Sequence, residues 1–252
     1  MIVDLTAPLE DDRSWAPRLL RTKVRRQDHR TGARAIRLLF RLRPQYLRTG
    51  LGWANDHVSL STHGATHVDA PWHYAPTSEG KPARTIDELP LEWFHGPGVC
   101  LDLTHLPEGS AASADDLRTE LDRIGHELAS GEIVLCRFDG DGRLGTRAYF
   151  SEGVGVSAEA TRWLIDQGVR VMGTDCWGWD APLARQAAEA KRTGRRDLFW
   201  EAHFVGVDRE YCQIERLANL RAVPATGFTV SCFPLKVVGG SAGPARVVAF
   251  VD

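Results

Sequence analysis

Three histidines and one carboxylate lie close together in the first third of the sequence. His63, His67 and His73 fall within eleven residues and Asp69 lies between them, whereas the whole chain has nine histidines. Neutral imidazole and carboxylate groups are ligands that zinc and manganese accept. Because side chains alternate along an extended segment, His67 and Asp69 should point the same way. Gly64 allows a bend that brings His63 to join them, so the spacing predicts a divalent metal site.

The proline that follows limits the conformation of this stretch. Pro71 has a fixed φ and no N–H donor, so we expect no helix through the stretch and place the ligands on a loop or at a strand end. From the residues alone one alternative stays open, a patch of polar side chains that hydrogen-bond to one another without a metal.

The run His63-Gly64-Ala65-Thr66-His67-Val68-Asp69-Ala70-Pro71-Trp72-His73 resembles the signature of the cyclase family of metal-dependent hydrolases. Bacterial kynurenine formamidase and isatin hydrolase belong to that family. Ala65 departs from the commonest form, in which threonine follows the glycine, but alanine supplies no ligand. The resemblance implies one or two divalent ions, zinc or manganese, the first held by His63, His67 and Asp69.

The resemblance also implies a second half of the site. A histidine and a glutamate with the separation of His203 and Glu215 complete the metal site in the family, in a context that Glu215-Arg216-Leu217-Ala218-Asn219-Leu220 fits. Taken alone, His203 would be a core histidine and Glu215 an acid on a helix surface. With the resemblance, these two would hold a second ion together with a bridging Asp69.

His73 is implied to act as the general acid/base, which takes a proton from water and returns one to the leaving nitrogen. Its alternative role is that of a further ligand. A bound divalent metal lowers the pKa of water and polarises a carbonyl group. We therefore expect an enzyme that hydrolyses a C–N amide bond of a small molecule, an aryl formamide or a cyclic amide such as a lactam or imide.

Two other functions compete with hydrolysis. The same metal could serve a cyclase or dehydratase of secondary metabolism, which the sequence does not separate from a hydrolase. The chain could also be a metal-binding or interaction protein without catalysis, but the full ligand set and His73 argue against that. Four tryptophans are candidates for an aromatic substrate pocket, and each is equally a candidate for the core: Trp53, Trp72, Trp177 and Trp179.

Composition describes an ordinary globular chain. Its 252 residues are 43% hydrophobic and 25% charged, with a formal net charge of −2. The five cysteines are widely spaced in mostly apolar runs and predict reduced core thiols in a cytoplasmic protein. No apolar run approaches the ~20 residues of a membrane span, and the first residues lack the pattern of a signal peptide.

Strand and helix patterns intermingle, which predicts an α/β protein that forms a single domain over residues 1–252. The resemblance implies a swivelling β/β/α-type fold with a central mixed sheet flanked by helices, assembled as a homodimer or homotetramer. Helices are expected after the N-caps Ser113 and Ser157 and over 183–191. Strands are expected at residues 2–6, 98–104, 133–136, 169–173, 228–238 and 246–251.

A basic segment interrupts this pattern near the N-terminus. Residues 18–48 carry eleven lysines and arginines against one acid, Asp28. Such a run can bind nucleic acid or another anion, or it can be a solvated arm or a subunit contact. It lacks the aromatic pattern of single-strand binders. We expect it to cover the site or a neighbouring subunit and not to bind nucleic acid. Alternation predicts a strand with one buried face at Ile36, Leu38, Phe40 and Leu42.

The glycines of residues 140–145 match a dinucleotide-binding pattern, Gly-x-Gly-x-x-Gly. A nucleotide site would require an apolar-striped helix to open there. The sequence shows none, and the aspartates beside Gly140 would repel a pyrophosphate. The same aspartates hint at a calcium loop, but Arg143 and Phe150 occupy ligand positions. We expect neither site.

Overall fold

Strands and short helices follow one another along the chain, and the computed structural model describes residues 1–251. The strands are β1 (Ile2–Asp4), β2 (Lys23–Gln27), β3 (Asn55–Ser59), β4 (His67–Asp69), β5 (Thr77–Ser78), β6 (Lys81–Pro82), β7 (His95–Asp102), β8 (Ala111–Ala112), β9 (Ile133–Arg137), β10 (Gly155–Val156), β11 (Val171–Thr174), β12 (Cys212–Glu215), β13 (Phe228–Ser231), β14 (Ala242–Pro244) and β15 (Val248–Val251). The α-helices are α1 (His29–Phe40), α2 (Pro71–Tyr74), α3 (Ala114–Ile124), α4 (Ala148–Ser151), α5 (Ala158–Asp166) and α6 (Leu183–Thr193).

The chain divides into two compact units, one of Met1–Pro8 with the chain from Thr62 onward, the other of Leu9–Ser61. A nine-stranded sheet, in the order β1, β15, β13, β7, β9, β11, β12, β4, β14, organises the first unit. Its central strands β7, β9, β11 and β12 are parallel, and the remaining pairs are antiparallel. This confirms the expected α/β fold with a central mixed sheet flanked by helices.

The central strands are buried on both faces, as β9 illustrates. Val134 and Cys136 pack into the core cluster that also contains residues of α3 and α5, whereas Ile133 and Leu135 pack into a second cluster on the other face. Successive side chains of a strand point to opposite faces. A parallel strand covered on both faces therefore consists of apolar residues in succession.

Local capping signals in the sequence are confirmed. The Ser113 hydroxyl accepts a hydrogen bond from Asp116 N at the start of α3, and the Ser157 hydroxyl accepts one from Ala160 N at the start of α5. The strand expected over 228–238 ends early, at Ser231. The sequence did not predict β14, whose glycine and proline are typical of an edge strand and give no strand signal of their own.

The unit Leu9–Ser61 contains β2 and β3, paired antiparallel, and α1. The strand predicted around Ile36 to Leu42 is wrong, because α1 covers most of that range. The Asp28 carboxylate caps this helix by accepting a hydrogen bond from Thr31 N at 2.9 Å. Ile36 is buried, whereas Leu38 and Phe40 are exposed, so the apolar alternation does not correspond to one buried face. Capping and helical spacing outweigh a short alternating pattern here.

The cysteines are unpaired and buried, as the sequence predicted: Cys100, Cys136, Cys176, Cys212 and Cys232. Among residues 1–251, no helix has both the length and the apolar character needed to cross a membrane.

Candidate metal centre

The pairing of β4 with β12 joins the two halves of the predicted site. The two strands are antiparallel neighbours, with His67 opposite Glu215 and Asp69 opposite Gln213. Directly opposite residues of such a pair have Cβ atoms about 4.5–5.5 Å apart. His67, Asp69 and Glu215 are all buried. The register of one strand pair thus brings Glu215 to residues that are distant in sequence.

The turn before β4 orients His67. Ala65 has a φ of 55°, in the left-handed region, and its carbonyl oxygen lies 2.9 Å from His67 Nδ1. The left-handed residue of this bend is thus Ala65 and not Gly64, although a residue with a Cβ adopts such a φ rarely. If Nδ1 donates to this carbonyl, Nε2 keeps its lone pair for a metal ion.

His73 lies on α2, which begins directly after β4. Pro71 occupies the first helical position, where a missing N–H costs nothing and the fixed φ suits a helix. The expectation that Pro71 excludes a helix is therefore wrong for the last four residues of the stretch. The ring centroid of His73 lies 3.9 Å from that of His63 and 5.6 Å from that of His203.

His203 begins a short helical turn, His203–Val207, that packs on α2. The close approach depends on Gly206, because a Cβ there would lie 2.1 Å from Tyr74 Cδ2. His203 is buried, with Nε2 at 3.5 Å from Glu215 Oε1 and 3.9 Å from Asp69 Oδ2.

Asp180 holds His203 in this orientation. Its carboxylate is hydrogen-bonded to His203 Nδ1 and accepts a hydrogen bond from the His203 backbone N–H at 3.1 Å. It also accepts bonds from Ala202 N at 3.0 Å and from Gln186 Nε2 at 2.9 Å. A carboxylate behind an imidazole fixes the ring and its tautomer. The sequence did not predict this role, because the contact depends on how two loops fold together.

All six predicted site residues come together around Asp69. His63 Nδ1 lies 2.8 Å and His67 Nε2 lies 3.2 Å from Asp69 Oδ1. Among these six residues, two sets have ligand atoms within 4.8 Å of one another, namely His63, Asp69 and His73, and His67, Asp69 and Glu215. Asp69 is shared, as the bridging role requires. These ligand sets differ from the expected ones. His73 belongs to the first set, and His203 lies next to the second set without belonging to it.

Burial and charge set the protonation of the cluster. Burial would raise the pKa of Asp69, but the nearby imidazoles, His67 foremost, hold it well below its usual value. Burial also opposes ionisation of Glu215, yet its pKa is lowered, chiefly by His203. Burial is the main cause that lowers the pKa of His73 to about 4. Burial disfavours the charged form of His203, but Asp180 and Glu215 outweigh it and raise its pKa to about 10.

A divalent cation fits this arrangement. Within residues 1–251, His67 Nε2 and Asp69 Oδ2 are buried and find no hydrogen-bond partner. A buried polar atom without a partner costs roughly 1–3 kcal/mol. A lone-pair nitrogen and a carboxylate oxygen both accept, so a cation between them satisfies both.

Two further side chains contact the histidines and were not predicted. Ser241 Oγ lies 2.9 Å from His63 Nε2, just before β14. The Trp200 ring stacks on His203 with centroids 4.5 Å apart and meets the His73 ring edge-on at 5.0 Å. The abundance of tryptophan between residues 176 and 200 was a signal that could have identified Trp200.

Known proteins are similar to this chain over most of its length. A family model described as a putative cyclase matches residues 3–181. The chain is similar to isatin hydrolase of Roseibium aggregatum, with 28% identity over 220 residues that cover 82% of this chain and 78% of the relative. It is also similar to kynurenine formamidase of Salinibacter ruber, with 33% identity over 192 residues that cover 76% of this chain and 77% of the relative.

A solved structure shows the same fold over the full length. Isatin hydrolase A from Labrenzia aggregata, bound to benzyl benzoate, aligns with a TM-score of 0.76 and 27% sequence identity. The alignment covers 100% of this chain and 93% of that one. The resemblance inferred from the ligand stretch is thereby confirmed.

Proposed function

The chain belongs to the putative cyclase family, and from that premise we propose that it is a metal-dependent hydrolase of a non-peptide C–N amide bond. It is an enzyme that acts on a small molecule. Relatives named isatin hydrolase and kynurenine formamidase support a substrate that is a cyclic amide or an aryl formamide. The observation that carries the proposal is the buried cluster around Asp69, in which His67 Nε2 and Asp69 Oδ2 have no hydrogen-bond partner among residues 1–251.

We assign roles within the cluster as follows. In the roles that the family resemblance implies, His63, His67 and Asp69 would hold one ion, and Asp69, His203 and Glu215 would hold a second. The ligand-atom sets His63, Asp69, His73 and His67, Asp69, Glu215 are the alternative division. When bound, the metal supplies Lewis acidity that polarises the amide carbonyl and acidifies water. Asp180 and the Ala65 carbonyl keep two of the imidazoles in the orientation that ligation requires.

His73 is the proposed proton carrier. Since burial lowers its pKa to about 4, its imidazole is neutral near pH 7 and can accept a proton from the attacking water. It then returns a proton to the departing nitrogen, which leaves as a neutral amine. Its ring lies against His63 and Trp200, and these contacts restrict its orientation.

Three finer features belong to the same proposal. Nitrogen and oxygen ligands favour zinc or manganese, as one or two ions. The five buried thiols support a reducing compartment, and we propose the cytoplasm. Exposed apolar side chains on α1, such as Leu38 and Phe40, support a homodimer or homotetramer.

Turnover in heavy-oxygen water tests the proposal. Metal-loaded protein is incubated with formanilide, isatin or phthalimide, and enzyme-free samples correct for exchange of carbonyl oxygen. Hydrolysis places one solvent oxygen in the new carboxylate or formate, and His67→Ala should form no product. Turnover without solvent oxygen would instead support a cyclase or dehydratase. Absence of both bound metal and turnover would refute the proposal.

A further inference from the structure

The His63 imidazole has a polar partner at each ring nitrogen. Nδ1 lies 2.8 Å from Asp69 Oδ1, and Nε2 lies 2.9 Å from the hydroxyl oxygen of Ser241. Nδ1 is therefore the nitrogen that faces the carboxylate at the centre of the metal-binding cluster. Nε2 lies on the other side of the ring, where the serine holds it.

This orientation is the reverse of that of the two other histidines proposed as ligands. His67 has its Nδ1 at the Ala65 carbonyl oxygen, and His203 has its Nδ1 at the Asp180 carboxylate. Both residues therefore present Nε2 to the carboxylates of the cluster. Because His63 presents Nδ1 instead, the group that orients it for ligation has to bond to Nε2.

The Ser241 backbone is anchored to the strand that carries the ligands. β14 is an antiparallel neighbour of β4, with Ala242 opposite Asp69. The Ser241 carbonyl oxygen accepts a hydrogen bond from Ala70 N at 3.0 Å, directly after Asp69 in the chain. The hydroxyl is therefore held at a fixed place beside the cluster by the register of one strand pair.

A hydroxyl suits this place because it can both donate and accept a hydrogen bond. A neutral imidazole carries one proton. Without a metal ion, a proton on Nδ1 suits the Asp69 carboxylate, and Nε2 then accepts from the serine. With an ion, Nδ1 needs its lone pair, so the proton has to lie on Nε2 and requires an acceptor. A backbone carbonyl or an ammonium group would serve only one of these states.

We propose that Ser241 is a positioning residue for metal binding. Its hydroxyl accepts the Nε2–H of His63 when Nδ1 binds the ion, and it donates to Nε2 when the ion is absent. The imidazole stays neutral in both states, since Nδ1 gives a proton to solvent and Nε2 takes one from solvent. The inference rests on the proposed function, in which His63 is a ligand, and deepens it by naming what fixes the tautomer of that ligand.

Zinc binding to the metal-free, full-length protein tests the proposal, measured by competition with a chromophoric chelator. Ser241→Thr keeps the hydroxyl, whereas Ser241→Val has the same shape without it. The valine variant should bind zinc roughly 10- to 100-fold more weakly, the usual cost of removing a group that orients a ligand. The threonine variant should bind nearly as tightly as the wild type. Equal affinity of the two variants would overturn the proposal.

Nitrogen-15 NMR spectra of the histidine rings provide a second readout in the zinc-loaded protein. The wild type and Ser241→Thr should show a metal-bound imidazole that is protonated at Nε2 and whose N–H exchanges slowly with solvent. In Ser241→Val this N–H should exchange faster, because it has lost its acceptor. A spectrum without any metal-bound imidazole protonated at Nε2 would contradict the assigned tautomer.

A matched control is Ser110→Val. Ser110 is also partly buried, but its hydroxyl donates to the Pro107 carbonyl oxygen at 2.6 Å and not to a histidine. This variant should bind zinc like the wild type. If Ser241→Val does not fold, Ser241→Ala removes only the hydroxyl oxygen and should weaken zinc binding in the same direction. Unchanged affinity of the alanine variant would count against Ser241.

The zinc measurement separates this inference from the proposed function, because binding needs no turnover. A protein that binds zinc through Ser241 but hydrolyses no amide would refute only the proposed hydrolysis. A protein that hydrolyses an amide, but whose Ser241→Val variant binds zinc like the wild type, would refute only the role of Ser241.

Discussion

Asp69 is the residue on which the cluster depends. Its two oxygens contact His63 and His67 on one side and approach His203 on the other. It is fully buried, and burial alone would favour its neutral form. The surrounding imidazoles reverse that preference and keep it ionised, which is the form that binds a metal.

His67→Ala and Asp69→Ala should each abolish both bound metal and turnover, since each removes a central ligand from the cluster. Elemental analysis of the purified variants and a turnover assay measure the two effects. His105→Ala, at an exposed histidine, is the matched control and should retain both. Full metal content in both site variants would show that the cluster is not the metal centre.

His73→Ala should keep the metal and the fold while kcat falls by about 10²–10⁴, the usual contribution of a general acid or base. The parameters kcat and kcat/KM should fall together, because proton transfer stabilises only the transition state. Elemental analysis must accompany the kinetics. A metal-free variant would make His73 a ligand, in line with its position beside His63 and Asp69.

Asp175→Asn should change how stability depends on pH. Burial raises the pKa of Asp175 to about 7 from its ordinary 3.8, against a hydrogen bond from Phe138 N. Between these values the folded protein retains a proton that the unfolded chain has lost. Asp175 therefore lowers the free energy of unfolding as the pH rises from 3.8 to about 7, and it causes no further change in that free energy above this range.

The asparagine variant lacks this contribution. The difference in free energy of unfolding, variant minus wild type, should increase by a few kcal/mol between about pH 4 and about pH 7, since one pKa unit corresponds to ~1.4 kcal/mol. Urea denaturation at intervals across that range measures the difference. Parallel profiles of the two proteins would mean that Asp175 titrates normally.

At the scale of elements, the site depends on three structural elements: the β4–β12 pair, α2, and the helical turn His203–Val207. The turn reaches α2 only because Gly206 lies against Tyr74. The Tyr74 ring is itself buried and stacks on Tyr211 with centroids 5.0 Å apart. It has little freedom to move aside.

Gly206→Ala should therefore destabilise the protein by about 1–3 kcal/mol, the usual cost of overpacking a core. It should also weaken metal binding, because the turn must move and carries His203 with it. Denaturant unfolding and metal titration measure the two effects. Gly142→Ala is the control, since a Cβ at Gly142 meets nothing within 4 Å. Equal behaviour of the two variants would remove the steric argument.

At the scale of the whole molecule, charge and apolar surface are unevenly distributed. The unit Leu9–Ser61 contains twelve lysines and arginines against five acids, whereas the whole chain has 31 against 33. Exposed apolar side chains gather near the end of its helix α1: Leu38, Leu39 and Phe40. Such a surface is typical of a contact with another protein, and we propose a second copy of the chain.

The double variant Leu38→Glu/Phe40→Glu should shift the protein from a dimer or tetramer towards the monomer, because buried charge at an interface is unfavourable. Sedimentation velocity at several concentrations measures the change. Val238→Glu replaces an equally exposed apolar residue of the other unit and should leave the assembly intact. A wild-type protein that is monomeric at every concentration would exclude this role for α1.

Much of the site could be predicted from the sequence, because the type of each side chain and its spacing from nearby side chains depend only on neighbouring residues. His67 and Asp69 share a face since a strand has a period of two. The N-caps Ser113 and Ser157 predicted the starts of their helices for an equally local reason. The same local reasoning failed at α1, where a four-residue alternation was mistaken for a strand, and at Pro71, which begins a helix.

Only the tertiary structure decided which residues meet. Glu215 reaches His67 through the register of β12 against β4, and a slip of one residue would turn Glu215 to the other face. Asp180 reaches His203 through the packing of two loops, which no short motif encodes. The sequence by itself predicted candidate metal ligands and the chemistry that they favour. Long-range strand pairing and packing determined their partners, because those contacts join residues far apart in the chain.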